Sequence, residues 1–511
     1  MSFQTRIRRL ASETAIYGIS SIVGRLINFL LFPLYSQVFL PAEYAPIIVV
    51  YAAFMFLNVL FQHGIESSYL KFATDRKELL GRSSAFGTAM FSLLMVSSLL
   101  SVVMLLMQGP VADIIGLNHS FLYFLNYAAV ILFLDSLSTV PFADLRLRNK
   151  PWVFAALRIV NILVVVSLNL ILIFGLHLGV ESVLIANVVA SGVTLIMLIP
   201  TSLARIAKLD VGLWRQMMLF GLPFVPGGIG YAITERVNLF FLSEMDPEVI
   251  KRLYGMTAET HPRLFERAAE LGPQVFTEHI VGMYGGIIKL AVLMALFVQM
   301  FRYAWQPFFL QHQHDDDAPA LFGKVFSILT LIMLVAFLSI SFLVEELVQI
   351  PLPGGRTLIA SSYWMGLMII PIALTGYFFQ GWYYHFSAGA YLRNKSKYFL
   401  HATASGSVVA LILNILFVPE GGMIAAAWAT SAAYAVMALT LLFLIRRHYH
   451  VPYNWGRVLM CCLTAVIFFG LWQNVPSLQI WWIEIGMIGL FALLGAHILG
   501  LAVPIINLVR R

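Results

Sequence analysis

The sequence predicts an all-α polytopic membrane protein, and three observations carry that expectation. Sixty per cent of its 511 residues are hydrophobic and only 11% are charged. A soluble chain is about 45–50% apolar and about 25% charged, so a water-facing surface of this size could not be covered. Apolar runs of spanning length follow one another along the whole chain, and the loops between them alternate in basic content. A cytosolic enzyme, a disordered protein and a disulfide scaffold are excluded on these grounds.

A span takes about 20 apolar residues. Runs between polar breaks place fourteen of them, at about 12–40, 43–62, 83–108, 121–142, 151–176, 179–203, 214–243, 279–302, 322–346, 362–388, 399–418, 422–446, 457–473 and 479–504. Cytoplasmic loops collect Lys and Arg. With the N-terminus inside, the inner segments hold 23 of the 32 bases. The outer loops hold five, namely Lys251, Arg252, Arg263, Arg267 and Arg356, and four fall within spans. A miscount of one span would mix the loops, so both termini are expected in the cytoplasm. The net charge of +7 is then a topology signal, and no nucleic-acid partner is expected.

The first span follows Arg6, Arg8 and Arg9. It is too long for a signal-peptide core and no small-residue cleavage site follows it, so it is expected to remain. Cys461 and Cys462 are adjacent in an apolar run, point about 100° apart on a helix, and are read as packing residues. The outer loop 244–278 is atypical, with seven acids against four bases. Its Leu-bearing pattern suits one or two short surface helices, either as a solvated insertion or as a lid over an outward-facing cavity.

Internal repetition organises the chain. Leu147-Arg148-Asn149-Lys150 recurs as Leu392-Arg393-Asn394-Lys395, and Asn169 maps to Asn414 at the same offset. Gly179 maps to Gly422, and Tyr44-Ala45 resembles Tyr284-Gly285. The expected organisation is a six-helix lobe at 1–211, a second at 212–450 carrying the insertion 244–278, and an additional helix pair at 451–511. Six is even, so the copies share one orientation. Parallel repeats of this kind are a transporter architecture, with substrate handled between lobes.

Ionisable groups inside spans are costly and face protein or water. Arg25, Arg158, Arg236 and Lys289 make a cation-rich set suited to an anionic headgroup, since arginine's fork matches phosphate. Arg158 is also the cation best explained as structural, because its helix lies away from the interface in most two-lobe arrangements. Asp135, Glu235 and Glu66 are candidates for ion coupling. Glu235 and Arg236 are adjacent, so their side chains are expected to diverge. Pro223, Pro226, Gly227, Gly228 and Gly230 predict a bend in the seventh span, either a static kink or a hinge. Pro33 predicts a milder break in the first.

The aromatic run from Tyr377 to Phe386 suits a membrane-interface belt or a sugar-stacking surface. His385 within it is at most a minor candidate proton carrier. His312, His314 and Asp315–Asp317 read as a solvated charge run in an inner loop. No nucleophile elbow, phosphate-binding glycine loop or zinc spacing occurs. No catalytic residue, metal site or cofactor is expected, and an ATP-driven pump is unsupported.

Several short motifs resemble a known family. Tyr17-Gly18, Gly24 and Pro33, then Phe39-Leu40-Pro41-Ala42-Glu43-Tyr44-Ala45, look like the start of the polysaccharide transporter (Wzx-type flippase) family. Gly64-Ile65-Glu66, Phe220-Gly221-Leu222-Pro223 and Val281-Gly282-Met283-Tyr284, with Lys289 and Pro307, are similar to its later motifs. The resemblance spans roughly 12–450. It implies the multidrug/oligosaccharidyl-lipid/polysaccharide exporter (MOP) fold, with two lobes and alternating access. It also implies a polyprenyl-pyrophosphate-linked oligosaccharide as substrate, moved across the bacterial inner membrane for surface polysaccharide or O-antigen biosynthesis. Membrane lipid and polysaccharide polymerase or assembly proteins are the implied partners. The long loop after the seventh span departs from the family pattern.

On this reading Arg25, Arg236 and Lys289 attract the pyrophosphate, with Arg158 a further candidate, and the chain is not an enzyme. Three rivals remain. A drug/cation antiporter of the same superfamily would favour an acidic cavity and usually needs no thirteenth and fourteenth spans. A peptidoglycan-precursor (lipid II) flippase shares the fourteen spans and a cationic cavity. A membrane polymerase or ligase would want catalytic residues outside, and His261 and Arg263 lie in the outer loop, but the duplication argues against it.

Overall fold

The computed structural model describes residues 31–75, 79–202, 209–393, 395 and 397–501. It divides into two compact units, residues 1–285 and 286–511. Arg25 lies outside the described residues, as do the motif residues Tyr17, Gly18 and Gly24.

In the first unit residues 31–38 are helical and α1 runs Pro41–Gln62. Pro41 opens α1 where a proline costs nothing, and Glu43 reaches back to the Leu40 amide at 2.8 Å. The helix stops at His63 and Gly64, both at positive φ, and α2 restarts at Ile65–Asp75. Glu66 therefore opens a new helix rather than closing the second span. Then follow α3 (Leu79–Leu106), α4 (Gln108–Ile115), α5 (Phe124–Leu147), α6 (Pro151–Leu170) and α7 (Glu181–Ser202).

The seventh predicted span is α8 (Val211–Gly221) and α9 (Phe224–Ser243). Asp210 caps α8 by accepting from the Leu213 amide at 2.9 Å. Two short helices, α10 (Pro247–Tyr254) and α11 (Pro262–Leu271), form the predicted insertion, and α12 (Gln274–Ile287) follows. The core of this unit gathers Ile65, Tyr69, Phe86, Leu93, Val140 and Met217.

In the second unit α13 (Val292–Gln311) leads to α14 (Ala318–Gln349). A two-stranded ribbon, β1 (Pro351–Leu352) and β2 (Arg356–Thr357), turns through Gly354 and Gly355, both at positive φ as a tight turn requires. Then come α15 (Ile370–Leu392), α16 (Lys397–Ile445), α17 (Trp455–Asn474) and α18 (Trp481–Ile498). The 49-residue α16 breaks at Gly422, where φ is 53° and ψ −136°. Its length is that of two spans.

By length and composition, the described residues hold 11 helices able to cross a membrane, or 12 if α12 and α13 are one interrupted span. The chain is an all-α, multi-pass membrane protein. Lys289, expected inside a span, sits in the turn at 288–291 between α12 and α13, at the break of the interrupted span the two helices would form together.

The aromatic run of α15 is another correction. Tyr377, Phe378, Trp382, His385 and Phe386 are all buried within the protein, so they are core and not an interface belt. The reason is packing: Phe326, Trp455 and Tyr453 close over Trp382 and Phe386 at ring separations of 5.1–6.5 Å.

Candidate functional site

Two motifs far apart in sequence meet at one end of α1. A Cβ on Gly64 would lie 2.1 Å from the Gly221 carbonyl oxygen, and one on Gly221 would lie 2.9 Å from that of Gly64. The Ser68 hydroxyl donates to the Met217 carbonyl at 2.7 Å across the same contact. Two helix breaks, at His63–Gly64 and at Gly221–Pro223, thus touch backbone to backbone. His63 is pinned there, with its ring nitrogens 3.0 Å from the Phe61 carbonyl and 2.9 Å from the Ser92 hydroxyl.

The other two motifs meet at the opposite end. A Cβ on Gly282 would collide with the Pro41 carbonyl at 1.7 Å, and one on Gly285 would strike Ile48. Between the ends, α9 lies along α1, with Gly228 against Val59 and Phe56 packed on Phe240 at 5.4 Å. Small residues permit such close approach in a bilayer.

The predicted bend is narrower than expected. α9 is regular through Pro226, Gly227, Gly228 and Gly230, and the break is confined to Gly221–Pro223, with Gly221 the last residue of α8. Pro226 falls in the first turn, where its missing donor is no loss. Arg236 and Glu235 correct a second expectation: they do not diverge fully, and their charged atoms come within 4.0 Å.

Asp135, Arg158 and Ser191 come together from α5, α6 and α7. The Ser191 hydroxyl donates to Asp135 at 2.7 Å. The Arg158 guanidinium lies over the Phe142 ring at 4.4 Å and Phe154 at 5.6 Å, with the Asp135 charge acting on it. Asp135 and Arg158 are both exposed residues of their helices. Glu66 is engaged elsewhere, in an ion pair with Arg146.

The repeat is visible in hydrogen bonds as well as letters. The amides of Arg148 and Lys150 bond the carbonyls of Asp144 and Leu145. Those of Arg393 and Lys395 bond Gly389 and Ala390, the same pattern 245 residues on. Asn169 and Asn414 are both fully buried, and each donates to the carbonyl four residues back, at 2.8 and 2.7 Å. In the second unit, Gln380 donates to the Tyr434 hydroxyl at 2.8 Å. Gln380 stands 245 residues after Asp135, but there the amide donates, whereas Asp135 accepts.

The insertion is folded down rather than free. Arg267 on α11 pairs with Glu43 at the start of α1. Ile250 and Leu264 are buried beneath α10 and α11, and Phe265 packs on Phe276 at 4.9 Å. Two cavities of about 390 and 410 Å³ are lined in part by its residues. Asn118 and Glu278 line both and hydrogen-bond at 2.9 Å.

Sequence reasoning missed a carboxyl pair in the second unit. Glu484 of α18 is 1% exposed and accepts from the Trp472 indole at 2.7 Å. Glu346 of α14 meets it at hydrogen-bonding range, yet one oxygen of each has no donor. Two ionised carboxylates offer no proton to share. The only signal in sequence was one acid in the apolar run after Trp481-Trp482. Among the described residues no cluster of His, Cys, Asp and Glu is able to hold a metal ion, and Asp315–Asp317 are exposed.

Residues 10–313 match the model of a family described as polysaccharide biosynthesis protein. Curated protein sequences give no match. The fold is similar to that of the lipid II flippase MurJ in an inward closed conformation, with TM-score 0.74 and 14% identity over 95% of this chain and 98% of that one. It is also similar to an inward-facing multidrug resistance MATE family transporter of the MOP superfamily, with TM-score 0.60 and 12% identity over 83% and 94% of the two chains. A MOP superfamily transporter from Pyrococcus furiosus, described by the reverse polarity of its binding pocket, gives 0.52 and 14% over 85% and 95%. The architecture is thus the one these membrane transporters share.

Proposed function

The chain belongs to the polysaccharide biosynthesis protein family, and on that premise we propose that it is a flippase for a polyprenyl-pyrophosphate-linked glycan. It is a transporter of MOP-superfamily fold and not an enzyme. Its helical spans suit the inner membrane, since the outer membrane takes closed barrels. The observation that carries the reading is the likeness to a lipid II flippase over nearly the full length of both chains. A 95% share leaves too little over to omit both α17 and α18. That likeness favours a peptidoglycan-precursor cargo over an O-antigen oligosaccharide, whereas the family description favours the polysaccharide precursor. Both cargoes present the same pyrophosphate and prenyl chain.

In this proposal fourteen spans place both termini in the cytoplasm, and the lobes are 1–211 and 212–450, with 451–511 appended. Arg25, Arg158, Arg236 and Lys289 draw the pyrophosphate inward. Asp135 is better placed for ion coupling than Glu66, because Glu66 is held by Arg146. Glu235 shares its charge with Arg236. The hinge is the Gly221–Pro223 break against Gly64, and the insertion 244–278 is an outer lid. Surface-polysaccharide assembly proteins are partners under the second cargo only.

The test is a liposome assay with purified protein. Lipid II and a prenyl-pyrophosphate oligosaccharide are offered separately, and inner-to-outer movement is read by an impermeant label. Movement of one and not the other names the cargo; movement of neither overturns the proposal.

A further inference from the structure

One cavity takes no part in the proposed transport route. It lies within the second unit, has a volume of about 520 Å³, and is walled by the ends of α13, α14 and α15 with the segment 442–455. Three of its features point to a ligand. Arg446 and Arg447 line it and are exposed, and no Asp or Glu is among its lining residues. His385 is 1% exposed in its wall, with Nε2 3.1 Å from the Phe322 carbonyl and Nδ1 without a partner. Leu439 and Phe443, each 49% exposed, continue from the arginines along the outer flank of α16.

These features have a consistent chemistry. The Phe322 carbonyl fixes the His385 proton on Nε2, so neutral Nδ1 is an acceptor that wants a hydroxyl donor. Arg446 and Arg447 stack on Phe443 at 4.5 and 5.5 Å, which leaves their N–H edges available to an anion. The exposed apolar flank suits a hydrocarbon chain. A volume of this size falls within the range of small-molecule sites, about 300–1,000 Å³. Basic pockets between helices at a cytoplasmic membrane face take anionic headgroups.

We propose that this cavity binds the hydroxyl-bearing phosphate headgroup of a lipid, with phosphate at Arg446 and Arg447, a hydroxyl at His385 Nδ1, and the chain along Phe443 and Leu439. Two sources carry that chemistry: a glycerol-phosphate bilayer lipid and a prenyl-diphosphate sugar. The site stands or falls independently of the flippase reading.

The full-length protein in neutral phosphatidylcholine nanodiscs tests it. Phosphatidylglycerol, a short-chain prenyl-diphosphate N-acetylglucosamine and inorganic phosphate are added separately, and binding is read by native mass spectrometry and by the thermal midpoint. At least one of the two lipids should bind and raise the midpoint, and the tighter one names the source. The double substitution Arg446→Gln/Arg447→Gln should weaken it at least about tenfold, the loss of a charge-assisted contact. Lys397→Gln, a basic residue outside the cavity, should not. Leu442→Trp, which fills the cavity without removing charge, should also abolish binding. Unchanged affinity in the double variant and in Leu442→Trp overturns the proposal. So does a full effect from inorganic phosphate alone.

Discussion

Glu484 and Glu346 illustrate how a single atom decides the outcome of a substitution. Glu484→Gln keeps the acceptor that Trp472 uses and adds an N–H where Glu346 lacks a donor. That variant should melt at or above the wild-type temperature. Glu484→Ala strands both the indole and the second carboxylate, and should cost about 1–3 kcal/mol. Thermal unfolding in one detergent ranks the two, and an alanine variant as stable as glutamine would sink this account of the missing donor. Asp135 permits a similar contrast. Asparagine keeps a side-chain oxygen to accept from the Ser191 hydroxyl, so Asp135→Asn should leave stability within about 0.5 kcal/mol. If Asp135 carries the coupling ion, the variant should still lose uphill export. Normal export would remove Asp135 from that role.

Among helices, the contacts at the two ends of α1 concentrate the constraint. Gly64 has φ +72° and no room for a Cβ, so Gly64→Ala should cost more than about 2 kcal/mol through strain and collision together. Gly227 has nothing within 4 Å of a Cβ position and lies in regular helix. Gly227→Ala should gain about 0.5–1 kcal/mol and leave transport intact, because the break is at Gly221–Pro223. A transport defect in Gly227→Ala would return the hinge to the glycine run. The lid has its own test. Glu43→Arg and Arg267→Glu singly should raise labelling of a cysteine placed at Thr277, and the double exchange should restore protection. Equal labelling in all three would show that the ion pair does not hold the lid.

Much of this level was legible beforehand. The motifs Gly64-Ile65-Glu66 and Phe220-Gly221-Leu222-Pro223 were visible as strings, and apolar runs of spanning length placed the helices. Their meeting was not legible, because backbone contact between glycines leaves no periodic trace. The interruption at Lys289 was hidden by the apolar residues around it. The aromatic run of α15 was misplaced because interface and core use the same residues, and only packing against Phe326 and Trp455 separates them.

For the molecule as a whole, low charge content set membrane residence, and the position of each base set the proposed orientation. That orientation is open to direct measurement. In a background with Cys461 and Cys462 replaced, Thr260→Cys should react with an impermeant maleimide on intact cells. His314→Cys should react only after permeabilisation. The reverse pattern would invert the topology and, with it, the direction of transport. The expected repeat has a local parallel in structure, since Asn169 and Asn414 make the same buried bond in separate units.

The glycine contacts also bear on how this protein can be redesigned. Positions 64, 221 and 282 have no side chain to trade, so a saturation library should show them almost blank, whatever cargo is selected. Variation useful for a new cargo must come from residues that line cavities and leave these three untouched. A library that spares them keeps more folded members for the same number of clones, and its survivors report on recognition and not on assembly.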